Sequence, residues 1–119
     1  MIQNPGALLQ FTELISAPSA QAGDNTWQDW DISTLVSGKP LYVIIHIVAQ
    51  ALMGTTRTAG VRKAGSALDR IVTISAIEND IADTAKAGVT MTVNYGTGII
   101  QRKSSDHNTI FFSVIGQLE

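Results

Sequence analysis

Between Leu41 and Gln50 the chain reads LYVIIHIVAQ, a run that is apolar at successive positions. A strand with one wet face alternates apolar and polar residues, and a surface helix repeats them with a period near 3.6, so neither template fits. A strand covered on both faces does fit, either inside a packed domain or with its second face against another subunit. The later runs DRIVTISAI, GVTMTVNY and NTIFFSVIGQL are rich in Val, Ile, Thr and Phe, and turn-forming residues separate them at intervals typical of a sandwich or barrel. In GVTMTVNY, Val89, Met91 and Val93 face one way and Thr90, Thr92 and Asn94 the other, the alternation of a strand with one wet side. The expected fold class is all-β: an antiparallel β-sandwich, jelly-roll-like, of about eight strands, with an N-terminal arm.

A chain of 119 residues buries roughly 65% of its unfolded surface, enough for one domain with its own core. The segment SAPSAQAGDN, at 16–25, reads as an extended connection, which divides the chain into an arm and connection over 1–25 and a sandwich domain over 26–119. ALLQFTELI, ahead of it, fits a helical turn or a first strand equally well. AIENDIADTAKAG, at 76–88, reads as a long loop with one helical turn, and the glycines of YGTGII as a hairpin turn.

Only 15% of the residues are charged against 45% hydrophobic, which leaves little to hydrate an isolated surface and suggests that part of it is covered in an assembly. The first 38 residues hold Glu13, Asp24, Asp29 and Asp31 and no Lys or Arg. Arg57, Arg62, Lys63 and Arg70 read as solvated loop charges, well short of a nucleic-acid footprint. The absence of cysteine excludes disulfides and thiolate chemistry. The start lacks the basic and apolar regions of a signal peptide, and LYVIIHIVAQALM is too short to cross a bilayer, so neither membrane nor export is expected.

Catalytic candidates are thin. His46 lies inside the most apolar strand, as a hydrogen-bonded core histidine or one lining a subunit contact does. Ser105, Asp106 and His107 are neighbours in one polar turn, whereas triads are assembled across a fold. No nucleophile and base can be paired, so no enzyme and no cofactor is expected. Asp24, Asn25, Asp29 and Asp31 supply hard oxygen ligands, but their spacing matches no EF-hand loop, and no metal site is expected there. Trp27 and Trp30 stand three apart in WQDWDIS, so in a strand one points inward and the other outward. A sugar-stacking platform built from both is thereby disfavoured, and glycan contact through Trp27 and Trp30 is kept as an alternative.

WQDWDIS, VRKAGS and GTGII together carry a family likeness. Trp27, Asp31, Ile32 and Ser33, then Arg62, Gly65 and Ser66, then Gly98, Ile99 and Ile100, resemble a β-sandwich module of tailed-bacteriophage virion proteins. The resemblance covers residues 27–119 and includes no catalytic signature. It implies a non-enzymatic, homotrimeric virion component whose partners are copies of itself and the major capsid or tail proteins, without nucleic acid or membrane. A short version without stalk or repeat looks more like a capsid decoration (cement) protein than a complete tail fibre. Leu8, Leu9, Phe11, Leu14 and Ile15 of the arm are then the expected subunit or capsid contacts. The alternative is a tail or fibre module that recognises host surface glycan.

Overall fold

The computed structural model describes residues 10–14, 16, 19, 25–51, 56–67, 71–75, 85–105 and 110–119. The largely apolar run becomes β3 (Tyr42–Ala51), an inner strand flanked by β6 (Ala85–Asn94) and β8 (Ile110–Leu118). β1 (Phe11–Glu13) pairs with the far side of β8. The second sheet holds β2 (Gln28–Asp31), β7 (Ile99–Ser104), β4 (Thr56–Lys63) and β5 (Ile71–Ser75). All pairings are antiparallel, and the orders are β1-β8-β3-β6 and β2-β7-β4-β5.

Consecutive strands thus lie in opposite sheets, with β4 and β5 the one exception. This is the jelly-roll order of two interleaved Greek keys, and the chain is an all-β sandwich. Two local expectations change. YGTGII is no hairpin turn, since it carries the chain from β6 in one sheet to β7 in the other. Gly98, at φ +99, has room for no side chain, because a Cβ would come within 3.0 Å of both Ser33 Cβ and the Tyr95 hydroxyl. Residues 85–88 belong to β6 and not to a loop; their alanines hide a strand because alanine favours no period. The rest of the expected helical turn, at 76–84, lies outside the described residues.

The core fills the space between the sheets by strand alternation. Val43, Ile45 and Ile47 from β3 and Ile110, Phe112 and Val114 from β8 meet Trp30, Ile32, Val61 and Ile100 from the other layer. Trp30 and Phe112 pack edge to face with ring centroids 5.9 Å apart. Each such side chain contributes roughly 1.5–3 kcal/mol by leaving water.

One irregularity governs β8. Ile44 pairs with Gly116 but Ile45 pairs with Val114, so Ile115 is an extra residue, a bulge. Side chains alternate with period two, so one extra residue inverts the two faces for the remainder of the strand. Gln117 is turned inward as a result and is fully buried. Its amide is satisfied in both directions: the Ser37 N–H donates to its Oε1 at 2.8 Å, and its Nε2 donates to the Ser37 carbonyl at 2.8 Å. That exchange ties the β2–β3 connection to the last strand.

Ser104 is also fully buried, and its hydroxyl has no hydrogen-bond partner among the described residues. Phe112→Ala is expected to cost about 3–5 kcal/mol in a denaturant titration. In the same measurement Ser104→Ala should be neutral or stabilising by up to about 1 kcal/mol, since it removes a buried hydroxyl that gains nothing.

Candidate interaction surfaces

The two sheets turn unlike faces outward. On the β1-β8-β3-β6 sheet the register aligns Tyr42 with Leu118 and Asn94, Ile44 with Gly116 and Thr92, His46 with Ser113 and Thr90, and Val48 with Phe111 and Gly88. These alternate with the buried Val43, Ile45 and Ile47 and therefore face away from the core. Tyr42, Ile44, His46, Val48, Phe111 and Leu118 are each half-buried. Phe11 extends the apolar surface across β8 and is 58% exposed. Its ring lies against Gly116, where an added Cβ would collide with Phe11 Cε1. Among the side chains described on this face, the only fixed charge is Glu13, at the rim.

The outer face of the other sheet is polar and charged. Asp29 and Asp31 on β2 lie opposite Gln101 and Ile99 on β7, and Arg62 on β4 lies opposite Gln101. A row of hydrogen bonds crosses three strands: Arg62 Nε donates to Gln101 Oε1 at 2.8 Å, and Gln101 Nε2 donates to Asp29 Oδ1 at 3.1 Å. The Arg62 guanidinium carbon lies 4.2 Å from the centroid of the Trp27 ring, with Lys103 Nζ at 5.6 Å. Cation–π contacts at such half-exposed sites are worth about 0.5–1 kcal/mol each. The expectation that Arg57, Arg62 and Lys63 are loop charges is corrected: all three lie on β4. Arg70 lies outside the described residues.

The two tryptophans part as their spacing requires, although Trp27 precedes β2 and is not in it. Trp30 is only 9% exposed. The Arg102 guanidinium carbon sits 4.3 Å from its centroid and 5.2 Å from that of Phe112. Trp30 as a glycan contact is therefore corrected: its ring is core, and no sugar can stack on it. Trp27 alone stays near the surface.

Arg102 is a cation on the inner side of β7, which alternation in the sequence does not reveal. Burial lowers its pKa to about 10, so it remains charged at neutral pH. The aromatic rings offset part of that desolvation. Nη1 donates to Ser19 Oγ at 2.8 Å, and Ser19 in turn exchanges backbone hydrogen bonds with Phe112. The described part of the arm is thus bound along β8. Leu14 N–H donates to the bulge carbonyl of Ile115, and the Val114 N–H donates to Ser16 Oγ.

The expected arm contacts divide accordingly. Phe11 belongs to the apolar outer face, and Leu14 packs against the protein's own core. Leu8, Leu9 and Ile15 lie outside the described residues, as do Asp24, Asp106 and His107. His46 sits on the outer face of β3, not in the interior. No protein-family model matches the chain, and no curated protein matches it.

Asp31 closes the turn after β2. The Ser33 hydroxyl donates to its Oδ1 at 2.7 Å and the Ser33 N–H to the same oxygen at 2.9 Å. These bonds, the hydroxyl first, hold its carboxyl below the ordinary aspartate value. A folded-state pKa that is depressed contributes stability above the unfolded value and loses it as pH falls through the folded one. Ser33→Ala should raise the Asp31 pKa part of the way back, followed by carboxyl NMR titration, since the N–H bond survives; an unchanged titration would contradict the assignment.

Proposed function

We propose that the chain is a structural protein of a bacteriophage virion, a capsid decoration (cement) protein that associates with copies of itself and seats on the head lattice through the outer face of the β1-β8-β3-β6 sheet. The contrast between the two outer faces carries this reading. One face presents Phe11, Tyr42, Ile44, Val48, Phe111 and Leu118 and, among the side chains described there, no fixed charge but Glu13, while the other carries Asp29, Asp31, Arg62 and Lys103. A free-standing domain gains nothing from such asymmetry; an assembled one gains about 25 cal/mol for each Å² of apolar surface covered. Stable interfaces cover roughly 1,200–2,000 Å² in total, an area within reach of a four-stranded face.

The resemblance of residues 27–119 to phage virion modules supplies the context, and the jelly-roll order fits it. Jelly rolls serve in viral capsids but also in lectins and cupins, so the fold by itself decides no role. A second reading, a tail or fibre module for host glycan, is favoured by one observation: Trp27 stands at the surface beside the polar row of Asp29, Gln101 and Arg62. A glycan array with Trp27→Ala as control separates the two.

Ile44→Lys and Phe111→Lys, combined, are expected to remove association through this face, read as a lower mass in solution, and to lower occupancy on purified particles at least tenfold. Both side chains point away from the core, so the thermal transition of the domain should move little. Unchanged mass and unchanged occupancy would sink the assignment of this face.

A further inference from the structure

A sheet in a sandwich ends in edge strands whose backbone groups template pairing with another chain, and proteins blunt them by shortness or charge. Among the described residues, two of the four edges are both short and charged, and a third is half the length of the fourth. β1 spans three residues with Glu13, β2 spans four with Asp29 and Asp31, and β5 spans five. β6 is the longest of the four: it runs for ten residues, and past Lys86 near its start it reads AGVTMTVN from Ala87 to Asn94 without a charge. Among the described residues it pairs only with β3.

The direction of its free hydrogen-bonding groups follows from the register. Beyond the Tyr42–Asn94 pair, the Tyr95 N–H donates to the Leu41 carbonyl, and antiparallel ladders alternate bonded and non-bonded pairs. Val93, Met91 and Val89 are therefore the residues bonded to β3, and Gly88, Thr90, Thr92 and Asn94 turn their N–H and C=O groups to the open edge. The other side of the sheet agrees: Phe112 exchanges bonds with Ser19, which leaves Ser113 for His46 and makes His46–Thr90 a non-bonded pair. Room exists beside the edge, for Thr92, Val93 and Asn94 line an open cleft of about 210 Å³ whose other wall carries Lys63 and Ser66.

We infer that this edge pairs antiparallel with the same edge of a second copy, joining two four-stranded sheets into one continuous sheet about a two-fold axis. A second copy is the fitting occupant because the stretch is self-complementary: no register within Ala87–Asn94 sets like charges against each other, and the exposed threonines make favourable cross-strand pairs. The inference is independent of the virion reading. It names a different surface from the apolar face and predicts even-numbered association, against the trimer that the family likeness implies.

Thr90→Pro tests it on the full-length protein. The proline removes an N–H that points to the open edge, so the β3–β6 ladder and the thermal transition should be retained. The dimer dissociation constant, read by analytical ultracentrifugation over a concentration series, should rise at least about tenfold. Hydrogen exchange gives a second readout that stands even where the proline variant folds poorly. In the unaltered protein the amides of Thr90, Thr92 and Asn94 should become protected as concentration rises. A face contact through Ile44 and Phe111 moves the mass but not these amides. An association that is strictly trimeric, or edge amides that exchange freely at every concentration, overturns the inference and leaves the face assignment standing.

Discussion

The extra residue at Ile115 is the constraint on which the rest of β8 depends. Up to Val114 the strand presents apolar side chains to the core at every second position. Past the bulge the faces exchange, so that Gln117 enters the interior and Gly116 comes to the outer surface. Three attachments follow from that inversion. Gln117 holds the β2–β3 connection at Ser37, the freed carbonyl of Ile115 accepts the arm at Leu14, and Gly116 gives Phe11 a surface without a Cβ to lie on. A regular strand would have turned the glycine toward the core and the glutamine to the outer face, losing all three.

The fold class was legible because it rests on periodicity. The largely apolar run at 41–50 read as a strand covered on both faces; β3 has a neighbour on each side and the core beneath one face, while Tyr42, Ile44, His46 and Val48 on its other face are half-buried. Topology was less legible, since turn chemistry reports a local bend and not which sheet the next strand joins. GTG therefore looked like a hairpin when it is a crossing between sheets. The single-residue bulge was invisible for a similar reason: IFFSVIGQL alternates acceptably in either register until its partner strand is known.

The surfaces were half legible. The tryptophan spacing separated Trp27 from Trp30 correctly, but a sequence does not announce that Arg62 on β4 and Arg102 on β7, two strands and one strand across the sheet from β2, lie over their rings. Arg102 shows why. It occupies a core-facing position by alternation, where a cation is costly, and it is tolerated because two aromatic faces and the Ser19 hydroxyl receive it. No local pattern encodes such a site, because its parts come from the arm, β2, β7 and β8.

The arm consequently does more than trail from the sandwich. Ser16 and Ser19 bind it to β8 through Val114, Phe112 and Arg102, and Leu14 adds to the core. Phe11 then completes the apolar face over Gly116. That face is complete only when the arm is seated, so its apolar surface is coupled to closure of the core behind it. A chain caught with the arm unseated would lack Phe11 at the surface and expose the backbone edge of β8 instead. On the proposed reading, assembly through the apolar face is thereby tied to the state in which β8 is no longer open to wrong pairing.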